Sequence, residues 1–124
     1  MRTLIYVFLG GGTGSVLRYV CQQVIGQGFV GSFPLGTFFV NIVGSFLIGI
    51  FYTLSARFNL SVEMRMLLTV GLCGGFTTFS TFSSDSLNLL KGELYGVFTL
   101  YALLSVVIGI SFAFAGAWIS KNIF

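Results

Sequence analysis

Apolar residues dominate the chain in four long blocks, 4–25, 35–56, 66–90 and 94–120, separated by short polar or glycine-rich interruptions. Each block is long enough for a membrane-crossing helix, which needs about 20 mostly apolar residues to cover a hydrocarbon core of about 30 Å. The second carries no charge at all. The interruptions are brief. Stretch 26–34 holds Gly26, Gly28 and Gly31 and ends on the only proline, Pro34, a strong loop signal. Stretch 57–65 holds Arg57, Glu63 and Arg65, and 91–93 reads as a tight turn. The pattern predicts an all-α integral membrane protein of four transmembrane helices. It forms a single domain over residues 1–124, with no room for a separate catalytic or receptor head.

Composition narrows this further. Hydrophobic residues make up 56% and charged residues 7% of the 124 positions, against about 25% charged in a typical soluble domain. So small a soluble domain would need a large polar surface. These numbers exclude a soluble globular domain, a disordered chain and a nucleic-acid module. The net charge of +3 is too thin for a phosphate-binding patch. No nucleotide-binding motif is present, which argues against an ATP-driven pump. With no histidine and three carboxylates, neither histidine acid–base chemistry nor a histidine metal site is available. Cys21 and Cys73 lie inside apolar blocks and suggest no disulfide framework. Four spans put both termini on one side with Arg2, Arg57, Arg65 and Lys121, while Lys91 lies on the other. The positive-inside rule then places the termini in the cytoplasm. Trp118, near the end of the last block, reads as an interfacial anchor.

Seventeen glycines are about twice the usual share. Gly10 and Gly14, and likewise Gly71 and Gly75, form small-xxx-small pairs that let membrane helices approach closely. Four such helices enclose little volume, so a homo-oligomer is physically attractive.

The third block carries the chemistry. From Thr77 to Ser86, seven of ten side chains bear hydroxyls. Such hydroxyls can bond back to the preceding turn of a helix, but a run this dense is poor for lipid contact. Following Gly74 and Gly75, it predicts a helix that breaks near its middle. Broken helices at membrane depth are tolerated where they are buried or line a cavity, and there freed carbonyls can hold a cation and freed N–H groups an anion. Phe79 and Phe82 are three apart and share a helical face. Their positive ring edges could attract a small anion, with Ser80 and Thr81 replacing part of its water. Asn41 in the second block is either an interhelical hydrogen-bonding residue or a pathway ligand. Arg18 is either an interface anchor or a vestibule charge that concentrates anions. Asp85 either pairs with a base or sits at the wet end of its span. Ser105 interrupts the apolar middle of the fourth block.

Three stretches resemble the CrcB/Fluc family of fluoride channels: GLCGGFTTFSTFS at 71–83, GGTGSVLRY at 11–19 and GTFFVNIVG at 36–44. The likeness covers essentially the whole chain. It implies a fluoride-selective passive channel in the bacterial inner membrane, which lets cytoplasmic fluoride leave. It also implies an antiparallel, dual-topology homodimer with two pathways along the interface. By position it assigns Phe79, Phe82, Asn41, Ser80, Thr81 and Ser105 to the anion pathway and Arg18 to the vestibule. The backbone carbonyls of Gly74 and Thr77, from both subunits, are assigned to a buried structural sodium ion. Two departures stand out: Asp85 occupies a position where relatives usually have glutamate, and Gly109 thins the polar track of the fourth helix.

Two other readings compete. A small proton-coupled multidrug exporter is also a four-helix dimer, but it needs an intramembrane carboxylate, and only Asp85 could serve. A non-transporting assembly subunit would leave the hydroxyl run unexplained.

Overall fold

In the computed structural model the described residues are 1–28 and 32–124. Among them the chain is entirely helices and short connections, in the order α1 (Arg2–Gly28), α2 (Leu35–Arg57), α3 (Val62–Met66), a π-helical segment (Leu67–Cys73), α4 (Gly74–Phe76), α5 (Phe79–Lys91) and α6 (Tyr95–Ile123). Four stretches are long and apolar enough to cross a bilayer, the third being Val62–Lys91, which joins α3, the π segment, α4 and α5. This is a multi-pass membrane protein.

The helix ends show why the boundaries fall where they do. The third span starts at Val62 rather than at residue 66, because the Ser61 side chain caps it, accepting from Met64 N at 3.2 Å. The loop expected at 57–65 therefore shrinks to 58–61. Helix α1 continues through Gly26 to Gly28, so two glycines expected in a loop lie in the last helical turns. Gly31 lies outside the described residues. Helices α2 and α5 end alike. Asn59 (φ 52°) and Glu93 (φ 60°) adopt left-handed backbone, and Leu60 N and Leu94 N reach back to Ser55 O and Leu89 O at 3.1 and 2.9 Å. Both close as Schellman motifs, which satisfy carbonyls that the helix end would orphan.

The four spans pack as two parallel pairs, each drawn together by glycine. Along α1 and the third span, Gly10 lies against Leu67 and Gly71, and Gly14 against Leu72 and Phe76; Gly75 lies against Gly11 and Ser15. A Cβ on Gly14 would overlap Leu72 O and sit 2.9 Å from Phe76 N, so backbone meets backbone directly. Helices α2 and α6 form the other extensive contact of the fold. There Gly49 abuts Ala113 and Ala117, and Gly116 abuts Phe46 and Ile50. In a bilayer, lipid tails are as apolar as the side chains, so close van der Waals contact rather than water exclusion holds helices together. At the end of this pair, one Arg57 terminal nitrogen donates to Ser120 O and Lys121 O at 3.4 and 2.7 Å. A cation is well placed at the negative end of α6.

The packing gives a graded expectation. Gly14→Ala should destabilise the protein by about 1–3 kcal/mol through overpacking. Gly12→Ala, whose new Cβ meets nothing within 4 Å, should stay within about 0.5 kcal/mol. Reversible unfolding in mixed micelles compares the two.

Candidate functional site at the break in the third span

The third span leaves helical geometry at two consecutive threonines. Thr77 lies at φ −86°, ψ 161° and Thr78 at φ −152°, ψ 120°, both extended. Both are β-branched and suit that conformation. The break thus falls just after Gly74 and Gly75, at the head of the hydroxyl run. The π segment immediately before it was not foreseen from the sequence; π turns are rare and concentrate at functional sites.

Side chains then settle the peptide groups released there. Thr77 N and Oγ1 both donate to Cys73 O at 2.9 Å, closing α4. Thr78 Oγ1 accepts from Thr81 N at 3.1 Å and caps α5. Asn41, on α2, pairs with both backbone groups of Thr78: Thr78 N donates to Oδ1 at 2.7 Å, and Nδ2 donates to Thr78 O at 3.1 Å. This is the two-point pairing that a neighbouring strand would supply. From the opposite side Arg18 Nε donates to Gly75 O at 3.1 Å.

The break parts the carbonyls of Gly74, Gly75, Phe76 and Thr77 from their helical donors. The donor for Gly74 O would be Thr78 N, which goes to Asn41. The donor for Thr77 O would be Thr81 N, which goes to the Thr78 hydroxyl. Gly74 and Thr77 line one cleft of about 380 Å³ together with Asn41, Ser45, Thr78 and Phe79. Oxygen donors of this kind suit a hard monovalent cation, as where unwound carbonyls hold sodium in broken transmembrane helices. The two carbonyls therefore fit the metal assignment made from the resemblance, although one chain supplies too few of them to replace a hydration shell. Among the described residues no cluster of histidine, cysteine or carboxylate side chains offers another metal site. Beyond the break, α5 begins with Phe79 and Ser80, whose N–H groups fall in the unpaired first turn. This is the positive end of the helix, so the break sets an anion-attracting end beside cation-attracting carbonyls.

The phenylalanine pair lies along α5. The rings of Phe79 and Phe82 have centroids 5.6 Å apart and tilt by 38°. Phe79 is 78% exposed at the cleft, unpacked on its outer side. Phe82 leans on Tyr101 of α6 at 5.0 Å. Tyr101 is fully buried, its hydroxyl donates to Asp85 Oδ2 at 3.2 Å, and Phe33 meets its ring edge-on at 5.4 Å. Asp85 thus has a tyrosine rather than a base as its partner. Ser80 and Thr81 turn toward Thr78, with hydroxyl separations of 3.2 and 3.1 Å; each keeps spare hydrogen-bonding capacity. Thr81 and Asp85 face a second cleft, of about 560 Å³, shared with Gln22 and Thr37. Ser105 lines neither cleft; its Oγ is buried and, among the described residues, unpartnered.

A family model described as CrcB-like protein, Camphor Resistance (CrcB), matches residues 5–117. The chain belongs to the CrcB family. It is 52% identical to a Bacteroides fragilis protein named Fluoride-specific ion channel FluC, over 98% of each chain. A Phocaeicola vulgatus protein of the same name is 54% identical over 98% of this chain and all of its own. One from Leptospira interrogans is 48% identical over 98% and 96%. Membership in the CrcB family answers the exporter and assembly-subunit readings.

Within this CrcB site, sequence reasoning missed Tyr101, Gln22 and Thr37. Gln22 joins Arg18 (3.4 Å) to Thr37 (3.3 Å), and its place one turn after Arg18 was the available signal. Asn41→Ala leaves an N–H and a C=O at the break without their partner. It should destabilise the protein by about 2–4 kcal/mol at roughly 1–2 kcal/mol for each stranded group. Asn41→Asp keeps the acceptor and should lose less. Reversible unfolding of both variants against the parent checks the order.

Proposed function

We propose that this chain is a fluoride-selective passive channel that releases cytoplasmic fluoride. It works as an antiparallel homodimer in the inner membrane of a bacterium, with a structural sodium ion at the subunit interface. The observation that carries the reading is identity of 52% over 98% of both chains to a protein named for fluoride-specific conduction. The break is the structural feature that this function uses.

Several properties of the site support it. The cleft beside the break sets the polar residues Asn41, Ser45, Thr77 and Thr78 among apolar neighbours such as Ile48 and Phe79, and lipid tails cannot satisfy polar groups. A second copy of the chain is the cover that would also complete a set of inward carbonyls. Gly74 and Thr77 would hold the sodium ion, whose charge would offset the carbonyl dipoles and leave the centre hospitable to an anion. Fluoride is small and strongly hydrated, so selectivity needs donors at close quarters to stand in for water. The spare hydrogens of Thr81 and Asn41, the Ser80 hydroxyl if it turns from Thr78, and the edges of Phe79 and Phe82 are such donors. Arg18 would raise the local anion concentration. Ser105, buried and unpartnered among the described residues, has spare capacity for the same pathway.

Purified protein in liposomes should release fluoride, read with a fluoride electrode, while retaining chloride. Absence of fluoride release in sodium-containing buffer would overturn the proposal. Phe82→Ile removes an aromatic edge worth about 1.4 kcal/mol, so flux should fall about tenfold with the dimer intact. Replacing sodium by a large organic cation should lower the unfolding temperature of the dimer, and restoring sodium should recover it.

A further inference from the structure

Arg18 stands inside the first span, half-buried, and its hydrogen-bond partners among the described residues are Gly75 O and Gln22 Oε1, neither of them a carboxylate. A guanidinium within a membrane segment is costly unless something compensates it. Here the compensation is a backbone carbonyl of the break. The helical donor for Gly75 O would be Phe79 N, which lies beyond the two extended threonines. The guanidinium takes that place, and the hydrogen bond, with one ionised partner, is of the stronger kind.

The break has two faces, and successive glycines serve different ones. A Cβ on Gly75 would overlap Gly11 O and lie 3.1 Å from Ser15 N, so this residue is pressed onto α1. A Cβ on Gly74 would meet nothing nearer than Thr69 O at 3.9 Å; Gly74 is exposed and lines the cleft, which Gly75 does not. The α1 face is therefore neutralised by the chain's own cation. The cleft face is the one that Gly74 and Thr77 line.

We propose that Arg18 is a positioning residue of the break: its guanidinium clamps the Gly75 carbonyl toward α1 and so orients the Gly74 and Thr77 carbonyls into the cleft. This goes beyond a charge at the mouth of a pathway. It rests on the proposed cation site for one of its two readouts.

The full-length protein is compared with Arg18→Gln and Arg18→Lys. The first readout is the sodium concentration that gives half-maximal thermal stabilisation. Loss of a charge-assisted hydrogen bond worth about 1.5–3 kcal/mol should raise it about 10- to 100-fold in Arg18→Gln. Arg18→Lys, which keeps a charged donor, should fall between that variant and the parent. The second readout is fluoride flux at about 0.03 M and about 0.5 M salt, because a steering charge is screened over that range and a positioning contact is not. The clamp predicts a flux deficit that persists at the higher salt, beyond the part that screening of the Arg18 charge removes. An unshifted sodium midpoint in a sodium-responsive protein, or a deficit that vanishes at the higher salt, would overturn it. A parent with no sodium response would refute the cation site alone, and the salt dependence would still decide the clamp. If Arg18→Gln does not fold, Arg18→Lys carries both measurements.

Discussion

Inside a bilayer, a peptide group that leaves the helical ladder has no water to turn to, so each one must find a partner in the protein or in a bound ion. The extended pair Thr77 and Thr78 imposes that constraint in the middle of the third span. Two of the long-range polar contacts answer it directly. Asn41 reaches from α2 to hold both groups of Thr78, and Arg18 reaches from α1 to hold Gly75 O. The threonine hydroxyls close the two helix ends on either side. Among what the protein leaves unanswered are carbonyls of the break, those of Gly74 and Thr77 beside the cleft, and the first N–H groups of α5, which a channel can use.

Such a break survives only if the neighbouring helices are fixed to within a fraction of an ångström, since a hydrogen bond weakens steeply as its geometry is lost. The glycine contacts provide that precision. Backbone-to-backbone packing between α1 and the third span puts Arg18 one turn beyond Gly14, beside Gly75, without a flexible side chain in between. Gly44 does the same from α2: a Cβ there would overlap the Thr77 side chain. The contact between α2 and α6 is then a rigid wall against which Tyr101 and Phe82 set the ring track.

Much of this is legible in the sequence. The four spans follow from hydropathy, and the break from a hydroxyl run that no lipid-facing helix would carry behind two glycines. Asn41 could be read only as a bond between helices or a pathway ligand. The bond is what the structure displays, because its partner is a peptide group 37 residues away in sequence, and periodicity within one helix does not reveal contacts between helices. The same limit hid Thr37 and Tyr101, whereas Gln22 stands one turn after Arg18 on the same helix. Asp85 had two expected fates, a basic partner or the wet end of its span; it has no base, accepts from the buried Tyr101 hydroxyl and faces the second cleft near the end of the span. The start of the third span was misplaced for a local reason: Ser61 is a capping residue, and hydropathy weighs it as a loop residue.

The polarity of the break carries one further consequence. A cation-attracting cleft and an anion-attracting helix start lie next to each other, and neither depends on a full charge of the chain. A fixed charge in the same place would bind an anion too tightly to release it, whereas conduction needs a site weak enough to leave. Arg18, the one formal cation near the break, is already committed to a carbonyl and to Gln22, so its field is partly spent on the fold. The anion would then meet dipoles, hydroxyl hydrogens and ring edges in turn. Each is a weak attraction, and together they suit passage better than capture.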